Sequence, residues 1–244
     1  MGYDMRWLRA DGSEKAAVVA ASEVFQAACN ARDALPEGAK GQFNLKRAKE
    51  AGDWDSPDAY DGQTADYRAA QEKVHVAYAA LGDAEKSYFR LNIFGMGRYR
   101  DLMERLGMAF EDAPHPTWPE AEDYGLTKEQ AWAATDPAEY PDVTLTPEQQ
   151  EAGRKYAAEQ DRILRWHGKE IPGIPLHKFG SNDGWVVLPA EAEAAVRIWA
   201  EFVKVNGDEK SLALVTESVT DTGYWLKWIA YLMGAVTHDG FAVR

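Results

Sequence analysis

The sequence predicts a mainly α protein with a minor β-sheet, at the border of the α+β class. Three observations carry that prediction. Several long segments repeat apolar residues at helical spacing. Two Thr-x-x-Gln signatures mark helix starts. Three short stretches, residues 3–9, 185–188 and 241–243, are the candidates for the sheet. The chain has 244 residues, 45% of them hydrophobic and 27% charged, a balance that supports a packed core. Its length suits one large domain or two small ones, and a single globular domain over residues 1–244 is expected, with residues 110–145 as a loop-rich acidic insertion.

The elements follow in chain order. Tyr3 to Arg9 alternate weakly and end at Asp11-Gly12. From Ser13, Ala17, Val18, Ala21, Val24, Phe25 and Ala28 recur at helical spacing, and Pro36 to Gly38 stop the helix. Cys29, the single cysteine, falls on this face as a small apolar filler. Residues 36–62 lack a clean period and read as a surface excursion ordered by Phe43, Leu45 and Trp54. Tyr67, Ala70, Val74, Ala77, Tyr78 and Leu81 define a second helix over 64–81, broken at Gly82-Asp83. Asp83 then caps a third helix through Tyr88–Phe94, interrupted at Gly95-Met96-Gly97 and resumed by Tyr99, Leu102, Met103 and Leu106. Gly107 followed by apolar Met108 has the form of a left-handed helix end.

Residues 110–126 read as a proline-rich loop. Thr127 and Gln130 start a short helix, and Thr146-Pro147-Glu148-Gln149 a longer one reaching about Trp166, with Ala152, Tyr156, Ile163 and Leu164 inward. Trp185 to Leu188 form the best strand, and Pro189 opens a helix with Ala192, Ala195, Val196, Trp199, Phe202 and Val203 on one face. Residues 208–219 suit a short helix or a strand. A terminal helix over 222–237 carries Trp225, Trp228, Ile229, Leu232 and Val236 as a stripe, with Tyr224 and Tyr231 beside it. Such a stripe is core, the wall of an aromatic groove, or an exposed face that binds a partner helix.

The formal net charge is −13, so the basic footprint of a nucleic-acid binder is absent overall and direct nucleic-acid binding is not expected. Residues 101–165 hold 15 acidic against 6 basic side chains, −9 of the −13. That concentration reads as solubilising, or as a face for a basic partner. The N-terminus lacks a basic stretch followed by an apolar run, and no apolar segment approaches the ~20 residues of a membrane helix. A cytoplasmic protein away from membranes is the expectation.

The densest polar segment lies at residues 177–185, where His177, Lys178, Ser181, Asn182, Asp183 and Trp185 stand among Gly180 and Gly184. Glycines allow tight backbone turns, and the polar side chains bond either the loop itself or a ligand. His238 and Asp239 close the terminal helix and complete the candidate ligand- or partner-binding set. The five histidines form no His-x-x-x-His pair, so no metal or other cofactor is expected, and His75 reads as a surface or satisfied histidine. Ser181 lies outside a Gly-x-Ser-x-Gly elbow. Tyr88, Arg90, Asn92, Arg98 and Arg100 cluster a ring with cations, and Asp101 and Glu104 stand by to pair them.

Tyr88-Phe89-Arg90-Leu91-Asn92 with Gly95-Met96, then Lys178 to Trp185, then Trp225 to Phe241, resemble blocks of a family found in actinobacteria and in the phages that infect them. The resemblance covers scattered blocks of the last two thirds of the chain. It implies a bacterial or phage origin and a phage–host setting, and brings no catalytic residues with it. The expected function is a cytosolic binding or regulatory protein with a protein partner. One alternative is a small-molecule enzyme using His177 or His238 as acid/base and Asp183 as orienter. Another is an acidic mimic that occupies a nucleic-acid-binding protein.

Overall fold

The computed structural model describes residues 2–9, 12–51, 59–111, 115–168 and 170–244. Among them, 62% are helical and 11% lie in strands, so the fold is mainly α with a minor β component. The chain forms two compact units, one of residues 1–9 with 88–244 and one of residues 10–87.

The larger unit is organised by a four-stranded antiparallel sheet. Its strands are β1 (Gly2–Trp7), β4 (Tyr88–Asn92), β7 (Trp185–Val187) and β8 (Phe241–Val243), in the order β4-β1-β8-β7. The three stretches with strand character in the sequence all enter it. Tyr88–Asn92 corrects the expected helix. Phe89 and Leu91 are buried while Arg90 and Asn92 are exposed, the period-two alternation of a strand with one covered face. Asn92 then accepts a hydrogen bond from the Gly95 backbone N–H at 2.7 Å and caps helix α4 (Ile93–Leu106). That helix runs unbroken through Gly95 and Gly97, so the expected interruption is also corrected. Its own backbone bonds and a buried face of Met96, Tyr99, Leu102 and Met103 outweigh the weak helix propensity of two glycines. Gly107 ends it at φ 78°, as expected.

Two capping boxes stand where the sequence places them. Thr127 and Gln130 start α5 (Lys128–Thr135), and Thr146 and Gln149 start α6 (Pro147–Leu164). Gly153 of α6 faces Ala134 of α5 so closely that a Cβ on it would lie 2.2 Å from the alanine methyl. Helix α7 spans Pro189–Asn206, α8 Asp208–Ser218 and α9 Thr222–Thr237. Residues 208–218 are thus helical. The stripe of α9 is core: Trp225, Trp228 and Leu232 are fully buried among Phe89, Tyr99, Phe179 and Phe241. Gly234 lets the Trp7 indole approach α9, where a Cβ would lie 1.9 Å from the ring.

In the smaller unit, α1 (Gly12–Asp33) and α3 (Ala65–Ala84) form an antiparallel hairpin. The direction follows from three contacts: Glu14 accepts from the Ser87 N–H, Phe25 meets Tyr78, and Arg32 donates to Gln71. The excursion between the helices carries β2 (Gln42–Phe43), α2 (Leu45–Ala51) and β3 (Tyr60–Asp61), with β2 and β3 paired. Phe43 packs edge-on against Tyr60, whereas Leu45 is exposed, and Trp54 lies outside the described residues.

Helix α3 continues through Gly82 and Asp83, so the expected break, and the cap by Asp83, are corrected. The apolar face expected of α1 is only partly used. Val18, Ala21, Phe25, Ala28 and Cys29 are half-buried, while Ala17 and Val24 are exposed. Cys29 is therefore not a fully buried filler. A two-helix contact covers one narrow seam, so the rest of the expected face stays exposed.

Candidate functional site

Within the larger unit, the segment before Trp185 is held from both sides. β6 (Ile174–Pro175) pairs in parallel with β5 (Ala109–Phe110), and a 3-10 turn over Leu176–Phe179 follows. This turn buries Leu176 and Phe179 and carries Lys178 with them, fully buried. The Lys178 ammonium donates to both Glu191 carboxylate oxygens at 2.7 Å and to the Val186 carbonyl at 2.6 Å. Glu191, also fully buried, accepts from the Leu188 N–H at 2.7 Å, at the start of α7. A buried charge without a partner is costly, so the pair locks turn, strand and helix together.

The rest of the loop is similarly engaged. Ser181 Oγ donates to Asp183 at 2.5 Å and accepts from the Trp185 indole N–H at 3.1 Å. Asn182 Nδ2 donates to the Gly2 carbonyl at 2.6 Å, and Gly184, at φ 89°, donates to the Val243 carbonyl. His177 is half-buried beside Trp185, with ring centroids 4.7 Å apart. His115 lies 5.6 Å from His177 and 4.9 Å from Trp185, and Trp118 closes the group. His115 Nδ1 is 2.8 Å from the Pro116 carbonyl. Sequence reasoning passed over His115 because nothing local in its proline-rich loop marks it as a neighbour of His177.

His238 and Asp239 do not join this group. Asn182 contacts β1 at Gly2, whereas His238 accepts through its carbonyl from the Arg9 N–H beyond the other end of β1. That places Asn182 roughly 20 Å from His238, at ~3.3 Å per strand residue. The His238 ring stacks on Trp7 at 4.3 Å, and its Nδ1 lies 2.8 Å from the Gly234 carbonyl. Asp239 adopts φ 63° and forms an exposed ion pair with Arg9 at 3.7 Å. Among the described residues no three His, Cys, Asp or Glu side chains are grouped to hold a metal ion.

The arginine cluster is also tied to its own surroundings. Arg90 pairs with Asp4 at 3.6 Å, Arg6 lies over the Tyr88 ring at 4.4 Å, and Arg98 bonds Thr220. Burial, reinforced by its hydrogen bond to Asp4, pushes the Tyr88 phenol up to about 12. The deeper Tyr99 is raised as well, first by desolvation.

The smaller unit presents an open cleft of about 550 Å³ at the end of its helical hairpin. One wall is a hydrogen-bonded row on α1 and α3. Arg32 binds Asp33 at 2.7 Å and Gln71 at 3.2 Å, and Gln71 lies 2.8 Å from His75 Nε2. The Asp33 carboxylate holds the Arg32 guanidinium above its ordinary pKa. The facing wall belongs to the excursion, with Lys40 over the Tyr60 ring at 5.1 Å. Arg32 and Lys40 balance Asp33 and Glu37 in this lining. The cleft has no local signature in the sequence because its walls come from segments some thirty residues apart, brought together by the hairpin and by the pairing of β2 with β3.

No family model matches the chain, and no match is found among the curated proteins or the solved structures.

Proposed function

We propose that this chain is a binding protein whose recognition site is the cleft of the hairpin unit. Its ligand is a small molecule carrying both charges and a flat ring. The observation that supports the reading is the pre-ordered row Asp33–Arg32–Gln71–His75 facing Lys40 and Tyr60. Paired opposite charges suit a zwitterion, and Tyr60 and Tyr67 offer ring faces. Thermal shift of the purified protein with aromatic amino acids, aromatic carboxylates and nucleoside monophosphates tests it. Aromatic amino acids should raise the melting temperature of the wild type and leave Arg32→Ala and Tyr60→Ala unmoved, because only a ligand bound to the native state stabilises it. Equal responses in wild type and variants would reject the cleft.

A catalytic reading is favoured by one observation, the approach of the His115 and His177 rings to 5.6 Å. Turnover that follows a histidine titration and is lost in His177→Ala would support it over binding.

A further inference from the structure

Helix α1 is apolar on more than the side that meets α3. Val18, Ala21, Phe25 and Ala28 form the seam, while Ala16, Val19, Ala20 and Glu23 lie on the opposite side at about 100° per residue. That outer face is exposed, Val19 at 52%. It bounds a shallow groove of about 420 Å³ that runs from Gly12 to Glu23 and is also lined by Lys15. Lys15 and Glu23 stand four residues before and after Val19, and neither has an ion-pair partner among the described residues. A helix with apolar stripes on opposite faces is ordinarily covered on both.

We infer that the outer face of α1 pairs with the same face of a second copy, antiparallel, with the twofold axis through Val19. Twofold pairing brings together residues equidistant from the axis. Lys15 then meets Glu23 of the partner subunit, and Glu23 meets Lys15 of the partner subunit. Ala16 faces Ser22 of the partner subunit, so small side chains let the helices approach to ~8–10 Å. A parallel copy would set Lys15 beside its own counterpart and Glu23 likewise, so charge selects the antiparallel arrangement. One helix face covers less than the ~800 Å² per partner of a standard interface, so the dimer is weak and concentration-dependent. The cleft residues lie outside this face, so the pairing stands whether or not the cleft binds a ligand.

Sedimentation equilibrium of the full chain, up to high micromolar concentration, tests the pairing. The wild type should dimerise. Lys15→Glu and Glu23→Lys should each weaken the dimer by roughly tenfold, since each replaces two ion pairs by two repulsions. The double variant K15E/E23K restores both pairs in reversed sense and should return to the wild-type constant. A cysteine-substituted chain, V19C in a C29S background, should cross-link to a second copy on mild oxidation, a readout that does not depend on the charge variants. A wild type that stays monomeric, a single reversal without effect, a double variant that fails to recover, or a V19C chain that does not cross-link would each overturn the inference.

Discussion

Lys178 shows how far a side chain's surroundings outrun its sequence neighbours. Beside His177 and ahead of a glycine it looks like a surface cation, yet it is fully buried against Glu191. Removing one member of such a pair leaves an uncompensated charge in the core. Lys178→Met alone, or Glu191→Leu alone, should therefore cost ~3–5 kcal/mol in denaturant melts, and the double variant should recover much of that. Asn182 is exposed but ties the loop to Gly2. Asn182→Ala should cost ~1 kcal/mol of stability, and a much larger loss would contradict the single bond assigned to it. Tyr88 makes a prediction in pH. Its folded pKa is raised, so the protonated phenol is favoured by folding. That stabilisation is fully present below the ordinary tyrosine value of ~10 and fades as pH climbs through about 12. Alkaline melts should show this loss in the wild type and less of it in Tyr88→Phe.

At the scale of elements, the helix boundaries that depend on local bonds were legible. Thr127, Thr146 and Gly107 satisfy backbone groups within a few residues of themselves, so their types and spacing carried the information. Thr146→Ala should lower stability by ~1 kcal/mol through the lost cap. The misreadings arose where tertiary packing decided. Tyr88 to Phe94 is apolar enough for a helix, but β1 offers a strand edge and Phe89 and Leu91 fill the core beneath it. The close approach of α9 to Trp7 makes a further prediction. Gly234→Ala would drive a methyl into a rigid indole that is itself stacked on His238 and Tyr231. The cost should reach ~1–3 kcal/mol, as overpacking does, with an altered tryptophan near-ultraviolet signal. An unchanged signal and melt would show that α9 and Trp7 do not meet as described.

Across the whole molecule, the two units differ in how much they bury. The larger holds an aromatic core built from Phe89, Tyr99, Trp185, Trp225, Trp228 and Phe241. Among the described residues of the smaller, the buried apolar side chains are Ala39, Ala48, Ala59, Val74 and Ala77. Apolar burial is the main stabilising contribution, so the hairpin should open at lower cost. Hydrogen exchange should find amides of α1 and α3 less protected than those of α4 and α9; equal protection would argue against this difference. Three of the four acids of α6 pair along their own helix, Glu151 with Arg154, Glu159 with Arg162 and Asp161 with Arg165. Such exposed pairs add little stability, and salt should hardly move the melt.

By itself the sequence determined the helical class, the capped helix starts at Thr127 and Thr146, the three strand segments and the apolar stripe of Trp225 to Leu232, though not whether that stripe is core. Each of these rests on a period or on bonds spanning three or four residues, which a linear string preserves. The tertiary structure decided that Tyr88–Asn92 is a strand, that Lys178 belongs to the core, and that His115 lies beside His177. It also decided that His238 stands at the far end of the sheet from Asn182, and that Arg32, Tyr60 and His75 share a cleft. Those facts depend on which distant segments meet, and contacts of that kind leave no periodicity in the chain.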